Sequence, residues 1–261
     1  MTNPDQPLVR TSTEHGVATI TLASPHNRNA LSTPLMTQFR AALAAAVEEP
    51  AVRVVKLDHD GPVFCSGADL KETAAARAAG KLPVAMLADV LVEVWECPKP
   101  VVARVAGPAR AGGIGLIAAA DIAICATDAT FAFTEVRLGV IPAVISATVL
   151  PRLHSRAAAR LYLTGEVFDA ESAAAAGLVT EAVPASQLDA TVDAVCQSLQ
   201  RGAPAALAGT KRLLRRTAPD LRAELAELSA MSVEYFQSDD AREGIAAFAE
   251  KRDPRWVVSA G

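Results

Sequence analysis

The chain has 261 residues, enough for one large domain or for a domain with a small appendage. It is 51% hydrophobic, only 4% aromatic and carries a formal net charge of −4, which predicts a sizeable alanine-rich core and argues against a nucleic-acid partner. Met1–Arg10 is polar, no run reaches membrane-span length, and Cys65, Cys97, Cys125 and Cys196 are scattered without metal spacing, so a cytoplasmic protein with reduced core thiols and no membrane partner is expected.

In chain order, Leu8–Glu14 and Val17–Leu22 alternate polar and apolar residues around His15-Gly16, a hairpin signature. A loop through Asn27-Arg28-Asn29-Ala30 follows. Ser32 then caps a helix reaching about Glu49, with Leu35, Phe39, Leu43 and Val47 on one face. Val52–Leu57 reads as a strand, Val63–Cys65 as a short extended piece, and Ser66-Gly67-Ala68-Asp69 as a small-residue loop before a helix from Leu70. Helical spacing resumes over Leu82–Trp95. Val101–Val105 is a β-branched run, Gly107–Gly113 a loop, Ile114–Ala120 a buried helix and Ile122–Cys125 another strand.

Phe131–Thr134 predicts a short strand leading into Glu135, and Leu138–Pro142 a turn into a helix over Ile145–Leu153. Ser155–Thr164 and Ala170–Ala175 read as helices, with Gly177 as a stop, and Val179–Val183 as a last strand. Beyond Leu188 the pattern is helical throughout: Leu188–Gln200, Pro204–Thr217, Leu221–Gln237 and Asp239–Lys251. Recurring strand–helix pairs followed by helices alone divide the chain into a core over 1–199 and a helical region over 200–261.

Several chemistries can be weighed from these residues. Gly113-Ile-Gly115-Leu-Ile-Ala118 formally fits a dinucleotide fingerprint, but Ala106–Gly112 separates it from its strand where that turn should be tight. Ser66 lacks a nucleophile-elbow context, and all four histidines sit at turns or loop edges where an exposed imidazole is expected. What remains is a pair of small-residue loops, Ser66–Asp69 and Ala111–Gly113, each placing backbone N–H groups at a helix start, with Glu135 after the next strand. Two such donors converging on one carbonyl oxygen stabilise an enolate, and a nearby carboxylate supplies the general acid/base.

Phe64–Lys71, Gly107–Leu116 with Asp121-Ile-Ala, and Thr134–Pro142 resemble the two oxyanion motifs and the catalytic-glutamate segment of the enoyl-CoA hydratase/isomerase (crotonase) family. Asn27–Leu31 and Phe248–Arg252 are similar to further family segments. The resemblance implies an α/β crotonase spiral of ββα units with a C-terminal helical trimerisation region, assembled as a homotrimer or a dimer of trimers. It makes Ala68 and Gly112 the oxyanion pair and Glu135 the acid/base. Arg28, Ala30, Leu31, Ala68, Asp69, Leu70, Lys71 and Gly112 would line the site for the CoA thioester. Phe248 and Lys251 would lie near the CoA nucleotide end, supplied by a neighbouring subunit. An acyl-CoA is then the substrate, with no separate cofactor or metal.

The chain also departs from the family pattern. Gly115 stands where hydratases of the family usually carry a first glutamate, and Ala111 replaces the first glycine of a GGG run. A single glutamate resembles Δ3,Δ2-enoyl-CoA isomerases, whereas Glu135–Ser146 with Gly112–Leu116 more closely resembles bacterial methylglutaconyl-type hydratases. The expected activity is therefore that of a hydratase-type lyase. An isomerase, another acyl-CoA reaction and a non-catalytic acyl-CoA binder stand as the alternatives.

Overall fold

The structure, a computed structural model, describes residues 7–69, 72–73, 84–215 and 220–257. Strands β1 (Val9–Glu14) and β2 (Val17–Leu22) form the expected antiparallel hairpin. From there β3 (Val54–His59), β4 (Val101–Val105), β6 (Ile122–Ala126) and β9 (Glu181–Val183) add in parallel, giving the order β1-β2-β3-β4-β6-β9. A second, three-stranded sheet pairs β5 (Ala109–Arg110), β7 (Thr130–Ala132) and β8 (Phe168–Asp169). This is a mixed α/β architecture with helices following at the C-terminal end of the chain.

Alternation along the strands sends residues to two different layers. Val55 and Leu57 join the main core, with helices α1 (Thr33–Glu48) and α2 (Val84–Glu96). Val54, Val102, Ile124 and Val183 face the other way, under Leu188, Val192 and Cys196 of α7 (Leu188–Gln200). Helix α3 (Gly112–Ala119) is buried at all eight residues, because Gly, Ile, Leu and Ala leave it no polar face to show solvent. It lies between α2 and α4 (Ala143–Val149). Helices α5 (Ser155–Thr164) and α6 (Ala170–Ala176) follow, the latter closed by Gly177 at φ +89.

The C-terminal helices α8 (Pro204–Leu214), α9 (Leu221–Gln237) and α10 (Asp239–Glu250) lie back on the rest of the molecule. Buried Lys211 and half-buried Arg215 both meet the Asp121 carboxylate, each at 2.6 Å, and the guanidinium groups of Arg215 and Arg152 lie over the Trp95 ring. Helix α9 packs on α4 and α2, and α10 packs on the 3₁₀ turn Thr134–Leu138.

Some boundaries differ from the sequence reading. The strand expected at Val52 begins at Val54, since Val52 N–H is taken by Glu49 O and Arg53 N–H by Gly16 O. The helix expected from Ile145 begins at Ala143 and ends at Val149, between Pro142 and Pro151. Strand β8 has two residues, too few to leave a periodic signal. His59 is a clearer correction: it is 7% exposed, not a surface imidazole. Its Nε2 accepts from Ala106 N–H at 3.1 Å and burial lowers its pKa, so it is a neutral core group.

Candidate active site

The first loop, Ser66–Asp69, is tied down on both sides. Leu31 N–H donates to Gly67 O at 2.8 Å, Ser66 N–H to Arg28 O at 3.0 Å and Arg110 N–H to Cys65 O at 2.9 Å. Gly67 adopts φ +91, and a side chain there would come within 2.8 Å of the Ala111 methyl. The two loops approach this closely because one of them contributes only hydrogen. Gly113 makes the reciprocal contact, since a Cβ on it would stand 2.7 Å from Cys65 Cβ. These contacts leave no open glycine face for a pyrophosphate.

Ala111, the residue ahead of α3, adopts φ 47 and ψ −120, a region that L residues rarely occupy. That strained entry starts the helix at Gly112, whose N–H is one of the first-turn donors without an intrahelical partner. Neither Gly112 N–H nor Ala68 N–H donates to a protein acceptor among the described residues. Both residues line one cavity of about 90 Å³, together with Glu135. Most of its remaining wall is apolar: Leu31, Met36, Val84, Leu87, Ile141–Ile145 and Phe236.

Glu135 enters the cavity from the 3₁₀ turn after β7. Gly139, at φ +71, closes that turn, and Val140 N–H returns to Glu135 O at 3.1 Å. The carboxylate is 8% exposed, and its Oε2 has no hydrogen-bond partner among the described residues. Burial pushes its pKa up to about 7, against a smaller opposing effect of its own backbone N–H. Tyr162 of α5 lies near enough for the Glu135 charge to add to the burial that raises its own pKa, so it stands there as a neutral phenol. Its ring packs on Phe133, 4.5 Å between centroids.

Gly115 faces α4. A Cβ on it would stand 2.7 Å from Ile145 Cγ2 and 3.4 Å from Leu91 Cδ2, so the space a longer side chain would need is filled by hydrocarbon.

The structure brings Ala68, Gly112, Glu135 and Leu31 into this one cavity. Arg28 is exposed in a left-handed conformation at φ 59, while Ala30 is buried. The Asp69 carboxylate accepts from Glu72 N–H at 3.1 Å, a helix-capping arrangement. Leu70 and Lys71 lie outside the described residues. Phe248 (62% exposed) and Lys251 are at the outer end of α10 and do not line the cavity.

Three contributions escape sequence reasoning. Asn29 is fully buried at φ 53; its Oδ1 accepts from Ser24 N–H, and its Nδ2 donates to Asp60 O at 2.9 Å and Val63 O at 2.8 Å. It fastens the Arg28–Leu31 loop to the turn leading into Ser66. Its only advance signal is that Asn tolerates left-handed backbone. Ser232 and Phe236 line the cavity from α9, nearly a hundred positions after Glu135, and nothing local in the sequence marks them. The third is the seat of the Glu135 turn: a Cβ on Gly139 would meet Asp240 O at 2.3 Å, and one on Gly244 would meet Leu138 C at 2.4 Å. Backbone therefore touches backbone between α10 and the Glu135 turn.

The chain is similar to known proteins over nearly its whole length. The family described as Enoyl-CoA hydratase/isomerase matches residues 12–258. A crystal structure of an enoyl-CoA hydratase from Mycobacterium avium superposes with a TM-score of 0.88 at 43% identity, covering 97% of this chain and 100% of that one. The mouse (Mus musculus) mitochondrial enoyl-CoA hydratase domain-containing protein 3 is 31% identical over 255 residues, 95% of this chain and 84% of its own. The peroxisomal Delta(3,5)-Delta(2,4)-dienoyl-CoA isomerase of Arabidopsis thaliana is 29% identical over 266 residues, 96% of each chain.

Proposed function

The chain belongs to the enoyl-CoA hydratase/isomerase family, and we propose that it is a hydratase-type lyase working through a single carboxyl group, Glu135. The observation that carries this reading is the buried Glu135 Oε2, without a partner among the described residues, in the same cavity as two backbone N–H groups that none of those residues claims. The thioester carbonyl accepts from Ala68 N–H and Gly112 N–H, and each such donor is worth about 10²–10³ in rate when negative charge develops on that oxygen. As a carboxylate, Glu135 takes a proton from water while the water oxygen bonds to Cβ. The Cα=Cβ electron pair moves into the enolate held by the two N–H groups. Glu135 then returns the proton to Cα, the carbonyl re-forms and the carboxylate is regenerated. Both transfers use one carboxyl group, so H and OH add to the same face.

A pKa of about 7 suits this alternation, because neither protonation state is strongly disfavoured at neutral pH. Gly115 is the replacement of the first family glutamate. CoA itself is part of the substrate, the Arg28–Leu31 loop would line its site as the family resemblance implies, and we assign no separate cofactor. By the same resemblance the assembly is a homotrimer or a dimer of trimers. Among the described residues no helix is long and apolar enough to cross a membrane.

Isomerisation is the second reading, favoured by the hydrocarbon packed over Gly115, which offers no polar group to hold water. Glu135 would then take a proton from one carbon and return it two carbons away. Incubation with crotonyl-CoA and with a branched 2-enoyl-CoA separates the two: loss of enoyl absorbance with incorporation of water supports hydration. Conversion of a 3-enoyl-CoA without water uptake, and no reaction of the 2-enoyl thioesters with water, would replace it by isomerisation. Undiminished turnover in Glu135→Gln would remove both.

A further inference from the structure

Ser232 faces the cavity from α9, is 4% exposed, and its hydroxyl has no hydrogen-bond partner among the described residues. A helical hydroxyl can instead donate to the carbonyl four residues earlier. Thr37, Ser146, Thr164 and Thr191 all do so here, at 2.7–2.9 Å. Thr73, the other hydroxyl of the cavity wall, donates to Asp69 O at 2.8 Å. Among the described residues Ser232 is thus an unspent donor and acceptor in a mostly apolar wall that includes Met36, Val84, Leu87 and Phe236. The hydroxyl is open to the cavity, so a group that enters this space can supply its partner.

We propose that Ser232 is a specificity-determining residue that hydrogen-bonds an uncharged oxygen, a hydroxyl or a ketone, on the acyl chain of the bound thioester. This inference rests on the reading of the cavity as an acyl-CoA site. An uncharged group is favoured because Glu135 is the one ionisable side chain among the described lining residues, and no cation there would balance a second carboxylate. A cavity of about 90 Å³ further points to a short chain.

The test is calorimetric titration of the intact protein with saturated, unreactive acyl-CoAs of equal chain length: pentanoyl-, 5-hydroxypentanoyl-, 4-oxopentanoyl- and glutaryl-CoA. The wild type binds at least one of the hydroxy and oxo chains about 3- to 10-fold more tightly than pentanoyl-CoA, the range of one neutral hydrogen bond. Glutaryl-CoA binds more weakly than pentanoyl-CoA. In Ser232→Ala the oxygenated and plain chains converge to within about twofold. The proposal is overturned if the wild type binds pentanoyl-CoA as tightly as both oxygenated chains, if the preference survives in Ser232→Ala, or if glutaryl-CoA binds most tightly. The wild-type ratio decides the matter even if the variant fails to fold. Binding of none of the four would bring down the acyl-CoA reading and this inference together. The expected ratio without turnover of any enoyl-CoA would remove the hydratase alone, and hydration of enoyl-CoAs without the ratio would remove the inference alone.

Discussion

The two halves of the candidate site are built in opposite ways. The N–H donor corner at Gly112 consists of backbone, held by loops that are neighbours through Gly67, Ala111 and Gly113. The Glu135 turn consists of one side chain whose chemistry is set by what surrounds it: apolar walls from α4 and α9, and a backbone seat on α10. The first needs only small residues in the right order. The second needs a carboxylate that distant helices desolvate and hold. A donor pair can therefore be conferred locally, while a tuned acid/base is a property of the assembled fold.

Substitutions at the two halves should separate these roles. Glu135→Gln keeps the shape and removes the proton carrier, so turnover of an enoyl-CoA should fall by about 10²–10⁴. In the wild type the carboxylate is the working form, so kcat/KM should fall as pH drops through about 7 and level off above it. The stability effect has the opposite sign. The folded pKa lies above the unfolded value, so the folded state holds the extra proton and stability declines as pH rises between the usual carboxylate range and about 7. At pH 8 Glu135→Gln should be more stable than the wild type by about 2–3 kcal/mol in denaturant titrations, an advantage that vanishes in acid.

Gly244→Ala tests the seat, because its methyl would press on Leu138 backbone. A shift of the Glu135 turn should lower kcat by up to about 100-fold while KM changes little. Equal loss in both constants would mean that the whole site has loosened. Gly115→Glu tests the corner. The new side chain meets Ile145, so it should cost about 1–3 kcal/mol and bring no gain in hydration, with stability partly recovered in Gly115→Glu/Ile145→Ala. The smallest effect belongs to Ala111→Gly. Relief of a positive φ outweighs the added chain entropy, so thermal unfolding should show about 0.5–1 kcal/mol of stabilisation. A destabilised Ala111→Gly would mean that the corner is not strained.

Much of this arrangement is legible in the amino-acid order. The hairpin around His15-Gly16, Ser32 as the cap of α1, and the full spans of α5, α7 and α9 follow from turn chemistry and period. So does the chain order of the two small-residue loops and Glu135. Such features depend on residues within a few positions of one another, and their physical causes are equally local. Burial of Glu135 and of His59, the hydrocarbon lid over Gly115, the Gly139–Gly244 seat and the placement of Ser232 depend on residues brought together from distant parts of the chain. Those were decided only by tertiary packing, with α4, α9 and α10 around the Glu135 turn and its cavity and with Ala106 and Phe64 against His59, because desolvation and steric contact come from the atoms that surround a group in space, whatever their separation along the chain.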